Sequence, residues 1–399
     1  MQINYKKLIL NFIVTSSFLQ GHVDTTSIHL LEIQKKCNIE LNMTKIDMRQ
    51  LQLCESQLNK FTRPPIQEGG ISTRYGGNPT HENLTILSIA QSKILKDVDN
   101  NYKERIHILF RQGVVWNDDP TVLLWKDSND NTAQSFEAQW LALFGVAKMM
   151  TKLGYSYTNK DHLLGRSHFG DLQFLHSMAT KNCEKSNATL EKIMLWAEFT
   201  YKVGTGRISR ETKLRNVIIK GFTELFINSK YYDQPIDILF NRDNVREMAL
   251  GSLLHMIQDS YFDGHTSRII NNKTYFSKGS IQEFHAYPDQ NGSHKKDDAW
   301  PNGLIDNNDK NNILITHNNP TQLLTVRDAY NPISTGAKIL EMADPKYDNY
   351  PILNSSKTGK EWKEVKNYLL EHVFHLDSKA QPAWAGKKYT KKTRPECQN

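Results

Sequence analysis

Residues 250–265 read LGSLLHMIQDSYFDGH. Leu250, Leu253, Leu254, Met256, Ile257, Tyr261 and Phe262 make this run apolar enough for a buried helix, yet His255, Asp259 and His265 are set into it. Burying an isolated carboxylate is expensive, so a chain that does so must supply a cation or a hydrogen-bond network. Positions 255 and 259 are i and i+4, one turn apart on one face, with Cβ atoms about 5–6 Å apart. That spacing lets a histidine nitrogen and a carboxylate oxygen share one metal ion at zinc–ligand distances of about 2.0–2.2 Å. A plain His–Asp ion pair has the same spacing, so the pair alone does not decide between the two. Asp263 and Gly264 can end or bend the helix, which frees His265 to reach a second ion nearby.

More residues of the same chemistry tilt the balance towards metal. IQEFHAYPDQ holds His285 and Asp289, again at i and i+4, and YGGNPTHENLT holds His81 just before a helix. GVVWNDDPT holds Asp118 and Asp119 beside Trp116, and GRSHFGDLQFLHSM holds His168, Asp171 and His176. Mixed nitrogen and oxygen ligands without cysteine fit zinc. Clustered zinc ions fit phosphate-ester hydrolysis, in which one metal activates water while others hold phosphate oxygens. His176 reads equally well as a ligand and as a helix residue packed among Leu172, Leu175 and Met178. Trp116 is expected to pack in the core.

Apolar spacing of three and four predicts helices over 81–98, 137–153, 170–181, 188–203, 214–227, 244–262 and 360–374. Few segments alternate with period two, so the expected fold class is all-α: a multi-helix catalytic domain with irregular loops. The stretch 61–80 is rich in Pro and Gly and marks a boundary, while 290–335, rich in Asn and Asp, reads as a long irregular connection. The start, MQINYKKLILNFIVTSSFLQG, has Lys6 and Lys7 ahead of an apolar stretch and reads as a secretion signal, with cleavage after Ser16 or Gly21. The expected organisation is a signal over 1–21, a helical extension and linker over 22–70, the catalytic domain over 71–345, and a C-terminal helix with a basic tail over 346–399.

The chain of 399 residues carries a net charge of +7, part of it in Lys387, Lys388, Lys391, Lys392 and Arg394. Such a balance favours anionic partners such as membrane surfaces, nucleic acid or phosphate substrates. Four cysteines, Cys37, Cys54, Cys183 and Cys397, lack the CxxC spacing of a zinc knuckle. Behind a secretion signal they permit two disulfides in three pairings, of which Cys37 with Cys54 is the most local.

His255-x3-Asp259-x5-His265 resembles the signature of the zinc-dependent phospholipase C and single-strand nuclease superfamily. The phrases THENLT, VVWNDDP, SHFGDLQFLHSMA, GSLLHMIQDSYFDGHT and FHAYPDQ are most similar to its phosphatidylcholine-hydrolysing branch in Gram-negative bacteria, over roughly residues 70–345. That branch includes secreted and host-translocated enzymes of intracellular pathogens. The resemblance implies an all-α enzyme with three zinc ions. It implies His255 and Asp259 on the first, His265, His285 and Asp289 on the second, and His81 with a bridging Asp259 on the third. It leaves one early aspartate, Asp118 or Asp119, as ligand and general base, with Asp118 favoured, and one further histidine, His168 or His176. Two departures stand out: His285-x3-Asp289 has Asp where the family has Glu, and His81 lies far from any expected N-terminus, whose amine ligates zinc in the best-known members.

The expected function is a secreted or host-delivered, zinc-dependent phospholipase C that releases diacylglycerol and a phosphorylated headgroup. It would act as a monomer on phospholipid at a membrane surface, with no stable nucleic-acid partner. A single-strand nuclease on the same scaffold, or a non-catalytic effector binding membrane or host protein, are the alternatives.

Overall fold

The computed structural model describes residues 80–92, 94, 109–122, 133–240, 244–270, 278–287, 290, 331–343, 359–387 and 390–397. The signal over 1–21, the extension over 22–70, the Cys37–Cys54 pairing, Asp289 and most of the 290–335 connection lie outside the described residues.

The helices are α1 (Thr80–Ser92), α2 (Ala133–Lys152), α3 (Leu163–Phe169), α4 (Ser186–Gly204), α5 (Ile236–Phe240), α6 (Val245–Asp259), α7 (Pro332–Ala343) and α8 (Trp362–Tyr368). Residues 109–115 are also helical. The expected mainly helical character holds, with one addition: β1 (Thr266–Ile270) and β2 (Lys278–Phe284) pair antiparallel. Burial alternates along β1, with Thr266 and Arg268 in and Ser267 out. That is the period-two pattern of a half-buried ribbon.

Helix α6 is the centre of the fold. Every one of its side chains is buried. A helix buried on every side is wrapped by the rest of the core, and its polar groups must find partners there. It packs on α4, α1, α7, α5 and the 3-10 turn Gln173–His176. Beside it Trp116 stacks nearly parallel on Trp196 at 5.8 Å and meets Phe240 at 4.9 Å. Trp116 is therefore a core residue, as expected from sequence. Each such large side chain contributes about 1.5–3 kcal/mol by burial.

One crossing depends on glycine. A Cβ on Gly251 would lie 2.3 Å from the carbonyl carbon of Gly113, and one on Gly113 would lie 2.4 Å from the carbonyl oxygen of Glu247. Only two glycines let the 109–115 helix meet the α6 backbone directly. Asn117 then locks the crossing: its amide donates to the carbonyl of Leu175 at 2.7 Å and of Ser252 at 3.2 Å, and its carbonyl accepts from the Ser252 hydroxyl.

The helix expected over 214–227 is not there. Only the 3-10 turns Leu214–Asn216 and Thr223–Leu225 form. Three β-branched residues, Val217, Ile218 and Ile219, disfavour the helix, and Gly221 takes the left-handed conformation at φ +85° and breaks it. The segment 170–181 is likewise shorter in helix than expected, with one 3-10 turn ending in left-handed Ser177.

The C-terminal element joins the same core through Val365, Leu369, Val373 and Phe374. Cys397 is disulfide-bonded to Cys183, closing a sequence separation of 214 residues. Arg394 pairs with Glu283 at 3.1 Å. Among the described residues, no helix is long and apolar enough to cross a membrane.

Candidate metal centre

Several separate segments deliver the site. Helix α6 brings His255 and Asp259 on one face, as the i, i+4 spacing requires. The helix ends at Asp259, and successive turns, in which Phe262 N–H donates to Asp259 and His265 N–H to Phe262, carry the chain to His265 just ahead of β1. The end therefore comes earlier than Asp263–Gly264. Helix α1 brings His81, the turn after residue 115 brings Asp118, and α3 with the following 3-10 turn brings His168 and His176.

Three overlapping groups of potential ligands result: His81–Asp118–His255, Asp118–His168–His176 and His176–His255–Asp259. The ligand atoms within each group lie within 4.8 Å of one another. Asp259 Oδ2 is 2.8 Å from His255 Nε2 and 2.9 Å from His176 Nδ1. Asp259 Oδ1 is 3.3 Å from His81 Nε2 and 3.8 Å from His265 Nε2. Asp118 Oδ1 stands 3.9 Å from His168 Nε2, 3.8 Å from His176 Nδ1 and 3.9 Å from His255 Nε2.

The Asp118 separations test whether a metal fits. They are too long for hydrogen bonds. Bonds of about 2.1 Å in a tetrahedron put neighbouring ligand atoms about 3.4 Å apart. A carboxylate oxygen spaced evenly from three imidazole nitrogens slightly beyond that value matches a shared cation better than any pairwise contact. The donor set is nitrogen and oxygen without sulfur, which suits a divalent first-row metal ion. These buried His/Asp groups could hold a metal ion.

The other ring nitrogens are fixed in a common way. His255 Nδ1 faces the Val114 carbonyl at 2.7 Å, His265 Nδ1 the His176 carbonyl at 2.8 Å, and His168 Nδ1 the Leu164 carbonyl at 3.1 Å. His81 Nδ1 faces Gln258 Oε1 at 2.9 Å, and Gln258 in turn donates to Thr85 at 3.0 Å. A carbonyl oxygen only accepts, so each of these Nδ1 atoms carries a proton; on His255, His265 and His168 the Nε2 lone pair is then turned to the site, and on His81 it becomes available once the ring gives up its second proton. This is the outer-shell arrangement that orients metal-ligating histidines.

The charges are settled by burial and by Asp259. Burial opposes ionisation of Asp259, but His255, His265 and His81 together with the hydrogen bond from His176 outweigh it and hold its pKa well below the ordinary carboxylate value. Burial would also lower His81; the charge and hydrogen bond of Asp259, aided by Asp118 and Gln258, overcome this and raise it to about 9. Burial pulls His255 down to about 3 against the attraction of Asp259, with His81 and His176 pushing the same way as burial. His81 and His255 are stacked at 4.0 Å. Of these two rings, the protonated one at neutral pH is therefore His81.

Of the residues expected from sequence, His81, Asp118, His168, His176, His255 and Asp259 come together, and His265 joins through Asp259. Both candidates of the pair His168 and His176 enter. Asp119 does not: it is buried and accepts from the Thr121 hydroxyl. His285 is held between the Ser267 hydroxyl at 2.8 Å and the Gly264 carbonyl at 2.9 Å and belongs to none of the three groups. Asp171 instead binds Arg166 in two hydrogen bonds of 2.8 and 3.0 Å. Sequence reading missed Gln258, Asn117 and Arg268. Arg268 donates to the carbonyls of Ser260, Gly279 and Val373 and so fixes the turn that aims His265. Their one signal was position: polar residues inside apolar runs beside a ligand.

No protein-family model, no curated protein and no solved structure matches the chain.

Proposed function

We propose that the chain is a zinc-dependent phosphodiester hydrolase of the phospholipase C type, acting on phospholipids such as phosphatidylcholine. The observation that carries this reading is Asp118, equidistant from three imidazole nitrogens beside the Asp259 cluster. The signature spacing His255-x3-Asp259-x5-His265 supports it. Zinc ions held there would supply a Lewis acid for the phosphate oxygens and a water of lowered pKa. Up to three ions fit the reading, held by His81, Asp118, His168, His176, His255, Asp259 and His265, with His285 and Asp289 completing the set that the resemblance implies.

The two carboxylates divide the work by exposure. The Asp259 side chain is 1% exposed and the Asp118 side chain 9%. Asp259 is therefore the anchor, locked among four histidines. Asp118 is the one a water molecule reaches, and it is the group placed to take a proton from the attacking water. A water so activated attacks phosphorus, the bond to the glycerol oxygen breaks, and diacylglycerol leaves with a proton while the phosphorylated headgroup is released. Several histidines and two carboxylates cannot neutralise multiple divalent ions, which leaves net positive charge for the phosphodiester anion.

Release of phosphocholine from phosphatidylcholine by the purified, zinc-loaded chain tests this, with single-stranded DNA as a parallel substrate. Phosphocholine release that falls by two orders of magnitude or more in Asp118→Asn and His255→Ala is expected. DNA cleavage without lipid cleavage would move the reading to the nuclease alternative. Fewer than about one bound zinc per chain, with no hydrolysis of either, would favour a non-catalytic effector. A secretion signal and host delivery remain part of this proposal, and the Cys183–Cys397 bond accords with an oxidising compartment.

A further inference from the structure

Helix α2 does two things at once. Near its middle, Phe144 packs edge-on against the His168 ring at 5.0 Å, with Trp140 at 6.4 Å, so the helix forms a wall of the metal centre. At its C-terminal end it exposes apolar surface: Met149 is 40% exposed, Leu153 74% and Tyr155 40%. Met149 and Leu153 are i and i+4, and the last turn continues through the Leu153 N–H to the Met149 carbonyl at 3.1 Å, so they share one face. Exposed Lys152 and Lys160 flank them. Asp161 accepts from the Tyr155 hydroxyl at 2.6 Å and from the Thr158 amide at 2.7 Å.

We infer that this end of α2 docks on an anionic lipid bilayer. An apolar tip carrying tyrosine and ringed by lysine is the composition that settles in a headgroup layer, where the apolar face sinks about 5–10 Å. At 1.5 Å per residue, Met149 and Leu153 lie roughly 8 and 14 Å along the axis from Phe144. The exposed tip and the Phe144 wall of the site thus belong to one helix. The inference rests on the phospholipid reading above for its purpose, though not for its test.

The test is binding of the full chain to phosphatidylcholine vesicles with and without phosphatidylserine, read by co-sedimentation. Met149→Glu combined with Leu153→Glu is expected to weaken partitioning roughly tenfold or more. Lys152→Ala combined with Lys160→Ala is expected to weaken it roughly tenfold on phosphatidylserine vesicles and to flatten its salt dependence. Both pairs are surface positions, and an unchanged melting temperature shows that the variants fold. Vesicle binding equal to that of the unsubstituted chain in the glutamate variant overturns the inference. So does a dimer that the same substitution dissociates while vesicle binding persists, because the face would then belong to a second copy. Hydrolysis of a monomeric short-chain phosphatidylcholine by the unsubstituted chain reports on the catalytic reading alone, so the two failures separate.

Discussion

Gly251→Ala tests whether the metal centre depends on the contact between the 109–115 helix and α6. The added Cβ would sit 2.3 Å from the Gly113 carbonyl carbon, where ordinary contact begins at 3.4 Å. The 109–115 backbone must therefore retreat by about 1 Å, an overpacking cost of about 1–3 kcal/mol. The retreat carries two groups with it. The Val114 carbonyl now lies 2.7 Å from His255 Nδ1, and such a step takes that contact past hydrogen-bonding range. Asp118, three residues beyond that helix, shifts with it and loses its even 3.8–3.9 Å spacing from three nitrogens. Misplacement of about 1 Å costs on the order of a hundredfold in rate. The expected result is a lower melting temperature without metal, a smaller rise on adding zinc, and roughly hundredfold slower phosphodiester hydrolysis. Gly145→Ala in α2 is the control, since nothing lies within 4 Å of its added Cβ, and it should stabilise by about 0.5–1 kcal/mol. If Gly251→Ala keeps both the unsubstituted melting temperature and its full zinc response, the crossing does not position the site.

The remaining expectations concern charge, cross-linking and the polar lock. In the metal-free protein His81 is raised to about 9 from 6.5, so its contribution is complete below pH 6.5 and is lost as pH climbs to 9. His255, lowered to about 3, acts oppositely: stability is lost as pH falls from 6.5 towards 3. Thermal melts of chelator-treated protein should therefore show their optimum near pH 6.5, and zinc should remove the alkaline slope; a slope that survives in His81→Asn would refute the assignment. Zinc loading at pH 7.5 should expel about one proton from His81, read by calorimetry in buffers of different ionisation enthalpy. Opening the Cys183–Cys397 bond by Cys397→Ser should cost up to about 5 kcal/mol on the chain-entropy model, given the 214-residue separation, measured by denaturant titration. Asn117→Ala should cost about 2–4 kcal/mol, since it strips partners from Leu175, Ser252 and the Ser252 hydroxyl, and a loss below 1 kcal/mol would show that the lock is dispensable.

What could be read from the sequence was what has a period or a fixed spacing. The buried helix, its His255–Asp259 pair and the displacement of His265 beyond its end all follow from positions in one continuous segment. Helices α1, α2, α4 and α6 fall within a few residues of their apolar repeats. The pairing between segments has no such signature. His168 and His176 come from α3 and from the separate 3-10 turn after it, and Asp118 from a third segment, so that both rings face Asp118 is a matter of how the segments pack. The failed helix over 214–227 shows the limit of periodicity: its apolar residues Leu214, Val217, Phe222 and Phe226 are all buried, but from a looped chain that satisfies the same pattern without helical hydrogen bonds.

The outer contacts say how such a site can be altered. Three of the Nδ1 partners, on Val114, Leu164 and His176, are backbone carbonyls, which no side-chain substitution removes. For His255, His168 and His265 the orientation is therefore set in large part by where segments pack. His81 is instead oriented by a side chain, Gln258, and is 13% exposed; His168 Nδ1 has a side-chain partner too, the Ser167 hydroxyl at 2.9 Å. His81 is thus the ligand that can be loosened alone, by Gln258→Leu, while the other rings keep their partners. It sits on α1, which packs chiefly on α7 and less on α6. The candidate centre divides accordingly into rings that meet backbone carbonyls and one, His81, that leans on Gln258. Metal affinity should fail at His81 first.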